Sequence, residues 1–305
     1  MTYSIVAYDP FRGLMGVAAC ASGHGVGRAG TWAMGGVGVA ATQADLTPRT
    51  GPQALELLRS GELRADEALA AIAQQHENPR GWQMGLLDRE GRCAAHTGDL
   101  CLRHAGHVVG RGYSVQANMM AAPDSWCAMA EAFETCTAEF SERLLQALRA
   151  GHTAGGDVRG DHSAALLVVS TAGSEWERVT DLRIDWSESP VDDLAALVSI
   201  DRNYEVYIKA LGLLLDGNPQ ESLAPFESLG DEKPEWVLLR AVALASVGKR
   251  DRAQAIVGRL FEQRPMWREI ATRFADTDLR LDHPEVAGLL EAASEGFPDT
   301  DKVNP

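Results

Sequence analysis

The sequence is short of positive charge. Its 28 Lys and Arg stand against 43 Asp and Glu, a net charge of −15. That balance leaves no basic surface for phosphate and argues against nucleic acid as a partner. Aromatic residues make up only 6% of the chain. No apolar run reaches the roughly eighteen residues that span a bilayer, so no membrane partner is expected. Cysteines are few and odd in number: Cys20, Cys93, Cys101, Cys127 and Cys136. They do not form the even framework of a disulfide-stapled secreted domain. The basic flank and apolar core of a secretory leader are missing too, because Asp9 and Arg12 arrive early. Cytoplasmic residence with reduced thiols is the expectation.

What remains is ordinary for a globular protein: 305 residues, 45% hydrophobic and 23% charged. The length suggests two domains, or one large domain with an appendage. The chain opens with Met1-Thr2-Tyr3-Ser4-Ile5-Val6-Ala7. If Met1 is removed, Thr2 carries a nucleophilic hydroxyl and a base, its own α-amine, on one residue. An α-amine titrates at about 7.7–8.0 in model peptides, close to working pH. The plainer alternative is a translation start running into a strand.

Residues 2–8 and 14–21 read as a hairpin around Asp9-Pro10-Phe11-Arg12-Gly13. The small residues of the second run imply that something approaches it closely. The glycines of 22–30 lack the helix and acidic residue of a nucleotide fingerprint, so this stretch reads as a loop. A strand is expected at 36–43 and helices near 51–61 and 65–76, with a hairpin at 82–88 and 92–97. A His- and Gly-rich loop follows at 99–112, then a strand at 113–118 and helices near 123–137 and 139–150. Strands at 163–170 and 177–185 precede a long helix from Pro190 to about 215.

Strands clustered in hairpins argue against a doubly wound parallel sheet. The expected class is α+β: a four-layer αββα sandwich over 1–215, followed by a small all-α helical appendage. Gly, Pro and acidic residues make 216–234 a linker. Residues 235–293 look like a tetratricopeptide-type helical segment, and 294–305 a disordered tail. One helical hairpin cannot bury its own apolar face, so it should dock on the sandwich or on another subunit; a homodimer is expected.

Five stretches in order carry a family resemblance: MTYSIVAYDP with GLMGVAACAS; GVGVAATQ with PRTGPQALELL; MGLLDREGRCAAHTGDLC with AGH; YSVQANMM; and AGGDVRGDHSAALLVV. Over about residues 2–200 the chain resembles domain-of-unknown-function family 1028, a group assigned to the N-terminal-nucleophile hydrolases. The resemblance implies an αββα sandwich with a terminal Thr, Ser or Cys at the end of a strand. Proteasome subunits of that superfamily open in the same way. The chain departs from the family at Ala117, at Trp82-Gln83 and near His24, which bears on pocket shape.

With the resemblance, the expected catalytic set is Thr2 as nucleophile, Asn118 as an oxyanion donor, and Asp161 and Ser163 steadying the terminal amine and hydroxyl. Substrate contacts are expected from Thr42, Gln43, His24 and Arg159, the last through a substrate carboxylate. Each has a plainer alternative: strand-end polarity for Thr42 and Gln43, a turn-bonding asparagine, and a salt-bridged loop for 157–163. His96, Asp99, Cys101, His104 and His107 would suit zinc chemically, but they lack a second Cys-x-x-Cys half. No metal and no cofactor are expected. The function expected is hydrolysis of a C–N bond in a small cytoplasmic metabolite, an amide, cyclic ureide or imine. The alternative is a catalytically degenerate sandwich that binds a ligand or protein through its helical tail.

Overall fold

In the computed structural model the described residues are 2–45, 47–76, 78–276 and Gly288. Met1, the expected tail at 294–305, and nearly all of 277–293 lie outside them. The chain divides into two compact units, Met1–Ser199 and Ile200–Pro305.

The first unit is an α+β fold with two antiparallel sheets. Its N-terminal hairpin is β1 (Thr2–Asp9) and β2 (Leu14–Ala21), in a register that pairs Thr2 with Ala21 and Asp9 with Leu14. A short helix α1 (Val26–Ala29) and strand β3 (Thr31–Met34) follow. The helix falls within 22–30, where a loop is expected, and the strand lies between that stretch and the strand expected at 36–43. Strand β4 (Gly38–Ala44) then leads to α2 (Thr50–Arg59) and α3 (Ala65–Gln75). Strands β5 (Trp82–Asp88) and β6 (Cys93–Thr97) form the next hairpin, and β7 (Gly106–Gly110) pairs with β8 (Tyr113–Ala117). Helices α4 (Ser125–Thr135) and α5 (Phe140–Thr153) precede β9 (Ser163–Ser170), β10 (Thr180–Ile184) and α6 (Pro190–Leu215). The six-stranded sheet runs β10-β9-β2-β1-β8-β7, and the four-stranded one β3-β4-β5-β6.

Strand β7 escapes the sequence reading because Gly106 and Gly110 bracket only His107-Val108-Val109. That leaves too short a patterned run to distinguish from a loop.

Side-chain alternation explains the apolar runs. Along β9, Leu166 and Val168 pack with Phe140, Leu144 and Leu148 of α5. Their neighbours Leu167 and Val169 pack with Val39 and Leu87 of the other sheet. A strand covered on both faces has no reason to alternate apolar with polar. Trp82, Met84 and Leu86 of the four-stranded sheet pack with Leu55, Leu58, Leu69 and Ile72 of α2 and α3. The small residues of β2 admit α5. A Cβ on Gly16 would stand 2.5 Å from Leu144 Cδ1 and 2.9 Å from Phe140 Cε1.

The second unit is helical, and the division falls within α6. Its further helices are α7 (Pro219–Ser228), α8 (Pro234–Ser246), α9 (Arg250–Gln263) and α10 (Met266–Asp276). They share a core that includes Phe226, Trp236, Leu244, Val257 and Phe261. The stretch 216–234, expected as a linker, holds α7. Gly217, at φ 78°, stands just beyond the end of α6, and Pro219 opens α7 in its first turn. Proline costs no backbone hydrogen bond there, so the breaker residues mark a helix junction. Among the described residues no helix is long and apolar enough to cross a membrane.

Candidate functional site

Residue period assigns the faces of β1. Tyr3, Ile5 and Ala7 lie in the core against α4 and α5, while Val6 lies between the sheets. Thr2 and Ser4 therefore point between the sheets. The pairing of Tyr3 with Ala117 continues to put Asn118 opposite Thr2 on that same face. Thr2 is 7% exposed and Asn118 fully buried.

The Thr2 carbonyl is clamped. It accepts from Gln43 Nε2 at 2.9 Å, from the Asn118 backbone N–H at 3.2 Å and from Asn118 Nδ2 at 3.3 Å. Gln43 Nε2 also donates to Gln83 Oε1, which accepts from Asn118 Nδ2 at 2.8 Å. Ser4 Oγ donates to Gln43 Oε1 at 2.6 Å and accepts from Gln116 Nε2 at 2.9 Å. Ser114 Oγ donates to Gln116 Oε1 at 3.2 Å. Gly85 makes room for this layer, since its absent Cβ would lie 2.4 Å from Gln116 Oε1. The Thr2 hydroxyl has no hydrogen-bond partner among the described residues.

Gln83 orients the cluster. Its Nε2 donates to the carbonyls of Gly106 (3.1 Å) and Ala117 (3.0 Å) and to Thr97 Oγ1 (2.7 Å). Carbonyls only accept, so the amide nitrogen must face them and Oε1 must face Asn118 and Gln43. Asn118 then has to present Nδ2, and both of its hydrogens are taken. Its Oδ1 is buried with no partner among the described residues. The side chain thus offers an acceptor where the sequence suggests an oxyanion donor. The sequence reading names Gln83 only as a departure from the family and gives it, like Ser4 and Gln116, no part in the site. The available signal is one amide within the wholly buried strand WQMGLLD.

Thr97 Oγ1 also lies 2.8 Å from His107 Nδ1. Burial of the ring, and secondarily nearby His96, lowers its pKa from 6.5. The unfolded chain then binds more protons than the folded one between the lowered value and about 6.5. Stability from neutral His107 is complete above that window and drains as pH falls through it. Thermal unfolding at about pH 7.5 and pH 5.5 checks this. His107→Asn, which has no group to protonate in this range, should lose less stability than wild type on acidification. Equal losses would remove His107 as the cause.

The other sequence candidates lie elsewhere. Asp161 is on the helix side of β1, accepting from the Tyr3 hydroxyl at 2.8 Å and from the Asp157 N–H at 3.0 Å, with His152 Nδ1 at 2.8 Å. Burial first, then Cys20 and Asp161, push the Tyr3 phenol far above its ordinary pKa, so it stays a donor. Asp161 therefore meets the residue next to Thr2 rather than the Thr2 side chain. Ser163 shares the face of Thr2 but pairs with Ala21, two strand spacings or roughly 10 Å away. Its Oγ donates to Gly23 O at 2.5 Å and accepts from Val26 N–H at 3.1 Å.

Thr42 points away from Gln43, bonded to Trp32 Nε1 at 2.9 Å and Ala29 O at 3.2 Å. Arg159 forks onto buried Asp157, with Nε 3.0 Å from Oδ1 and Nη2 2.8 Å from Oδ2. His24 is exposed in the loop after β2. Around the zinc-like loop, Asp99 pairs with Arg80, His96 Nε2 lies 2.8 Å from Pro79 O and Cys101 Sγ 3.4 Å from Trp82 O. Burial raises the Cys101 pKa, which disfavours its thiolate. Among the described residues no group of three or more His, Cys, Asp or Glu is arranged to hold a metal ion.

Fold and site together define an α+β protein with two antiparallel sheets and a buried amide cluster clamped on the first residue of its first strand. The chain belongs to the family of unknown function DUF1028, whose model matches residues 2–194. The crystal structure of a DUF1028 protein from Silicibacter pomeroyi is 30% identical, with a TM-score of 0.59 over 65% of this chain and 88% of that one. Two structures of Anbu also match. A Gly-1 mutant from Hyphomicrobium sp. strain MC1 is 12% identical, with a TM-score of 0.34 over 68% of this chain and 97% of that one. The ancestral beta-subunit from Yersinia bercovieri is 10% identical, with a TM-score of 0.33 over 65% and 96%. Both are too distant to bear on this site. No curated protein matches the sequence.

Proposed function

We propose that this protein is an N-terminal-threonine amidohydrolase acting on a C–N bond of a small cytoplasmic metabolite, an amide, cyclic ureide or imine. In this reading the first unit is a four-layer αββα sandwich of the N-terminal-nucleophile type. The helical unit is a tetratricopeptide-like segment that docks within a homodimer. No cofactor takes part. One observation carries the proposal. Thr2 begins β1 on the face between the sheets, almost buried, with its carbonyl held by three donors and its hydroxyl without a partner among the described residues. A nucleophile needs that combination of a fixed backbone and a free oxygen.

Cleavage of the Met1–Thr2 bond frees the amine. For an amide substrate, the Thr2 hydroxyl attacks the carbonyl carbon and its proton passes to the amine, directly or through water. The departing nitrogen takes that proton, leaving an ester on Thr2 that water hydrolyses to the free acid. Intact-mass measurement tests the first requirement: mature, active protein should begin at Thr2. A fully active preparation that keeps Met1 would falsify the reading.

A further inference from the structure

The buried oxygen of Asn118 has no donor among the described residues, and the network leaves it no freedom to find one. Turning the amide over would set Oδ1 against Gln83 Oε1, which the Gly106 and Ala117 carbonyls hold in place. An unpaired acceptor at full burial costs about 1–3 kcal/mol. Native folds keep such a group when something supplies the partner.

A donor arriving at the Thr2 end fits. Asn118 stands opposite Thr2, with its backbone N–H and its Nδ2 both on the Thr2 carbonyl. Across an antiparallel pair, side chains on one face are neighbours at about 5 Å between Cβ atoms. Freeing the amino terminus of Thr2 replaces one peptide N–H with the three donors of an ammonium group, at the same residue.

We propose that Asn118 Oδ1 accepts a hydrogen bond from the free α-ammonium of Thr2, and that Gln83 is the positioning residue that turns it there. This rests on the Thr2 reading above and adds the group that orients the base. An acceptor on the charged form raises the amine pKa and fixes where its lone pair lies once the proton leaves. Gln83 does not touch the amine. It acts by denying Asn118 the opposite amide orientation.

The experiment titrates the α-amine of the full chain by competitive labelling of the amino terminus across a pH series, read by mass spectrometry. Asn118→Ala should lower the amine pKa by roughly one unit relative to wild type. Asn118→Asp, which puts a negative charge at the same place, should raise it. Opposite shifts from two variants of one residue are not the mark of a general loss of structure, and circular dichroism reports whether each has folded. Gln83→Met removes the closer of the two acceptors that hold the Asn118 amide, leaving the Thr2 carbonyl at 3.3 Å, and should move the pKa in the direction of Asn118→Ala, by less. If Asn118→Ala is folded and its amine titrates as in wild type, the proposal is overturned while the Thr2 reading stands. If only Asn118→Asp folds, an unmoved amine in that variant overturns it equally. Wild-type protein that keeps Met1 overturns both.

Discussion

Thr2→Ala should abolish turnover and leave the fold intact. The substitution removes the hydroxyl but keeps the amine, the strand register and the clamp on the Thr2 carbonyl, because all three donors reach a backbone atom. The lost oxygen has no partner among the described residues, so stability should change by about 1 kcal/mol or less. Rate should fall by several orders of magnitude, since no other oxygen occupies the position from which covalent attack is made. Thr2→Ser keeps the oxygen and loses the methyl that restricts χ1, so partial activity is expected. Release of ammonia or amine from a panel of small amides, cyclic ureides and imines provides the assay. A Thr2→Ala protein as active as wild type, on any substrate that wild type consumes, removes Thr2 as the nucleophile.

How much of this was legible beforehand depends on the residue. The β1–β2 hairpin could be read because β-branched residues, a Pro-Gly turn and an Ala/Gly-rich return follow one another without interruption. Thr42 and Gln43 were both expected in the pocket, yet consecutive residues of a strand point to opposite faces. Applied strictly, that rule admits only one of them, and Gln43 is the one on the face of Thr2. Asp161 and Ser163 resist any such rule. They lie where a glycine loop gives way to β9, and no period fixes their direction. Asp161 turns to Tyr3 because a buried phenol needs an acceptor, a demand visible only when β1 is packed against α5 and the 154–162 loop. Asn118 was found by its place at a strand end, but its polarity was not. Which amide atom faces Thr2 is decided by Gly106 and Ala117 through Gln83, residues distant in sequence from Thr2.

Gln83→Leu should be among the more damaging single substitutions in the first unit, although it replaces a polar side chain with a good core residue of similar volume. Leucine makes none of the five contacts of this amide. The Gly106 and Ala117 carbonyls and Thr97 lose their donor, and Gln43 Nε2 and Asn118 Nδ2 lose their acceptor. Gln83 and Asn118 are fully buried and Gln43 nearly so, while Thr97 and Gly106 are half-buried, and Gln43 Nε2 and Asn118 Nδ2 keep their bonds to the Thr2 carbonyl. A buried group left unpaired costs about 1–3 kcal/mol, and the half-buried or still-bonded ones cost less. The gain from burying leucine's carbons offsets part of this, at about 0.8 kcal/mol per methylene. A net loss of about 3 kcal/mol follows, which in a unit of this size lowers Tm by roughly 6–12 °C. Asn118→Ala alone should cost less, because Gln83 Oε1 keeps its bond from Gln43. The double variant should be less destabilised than the sum of the two singles, since the bond between them is removed only once. Thermal unfolding of the two singles and the double measures that coupling. Strict additivity, or a Gln83→Leu protein within about 0.5 kcal/mol of wild type, would mean that Gln83 does not hold the cluster.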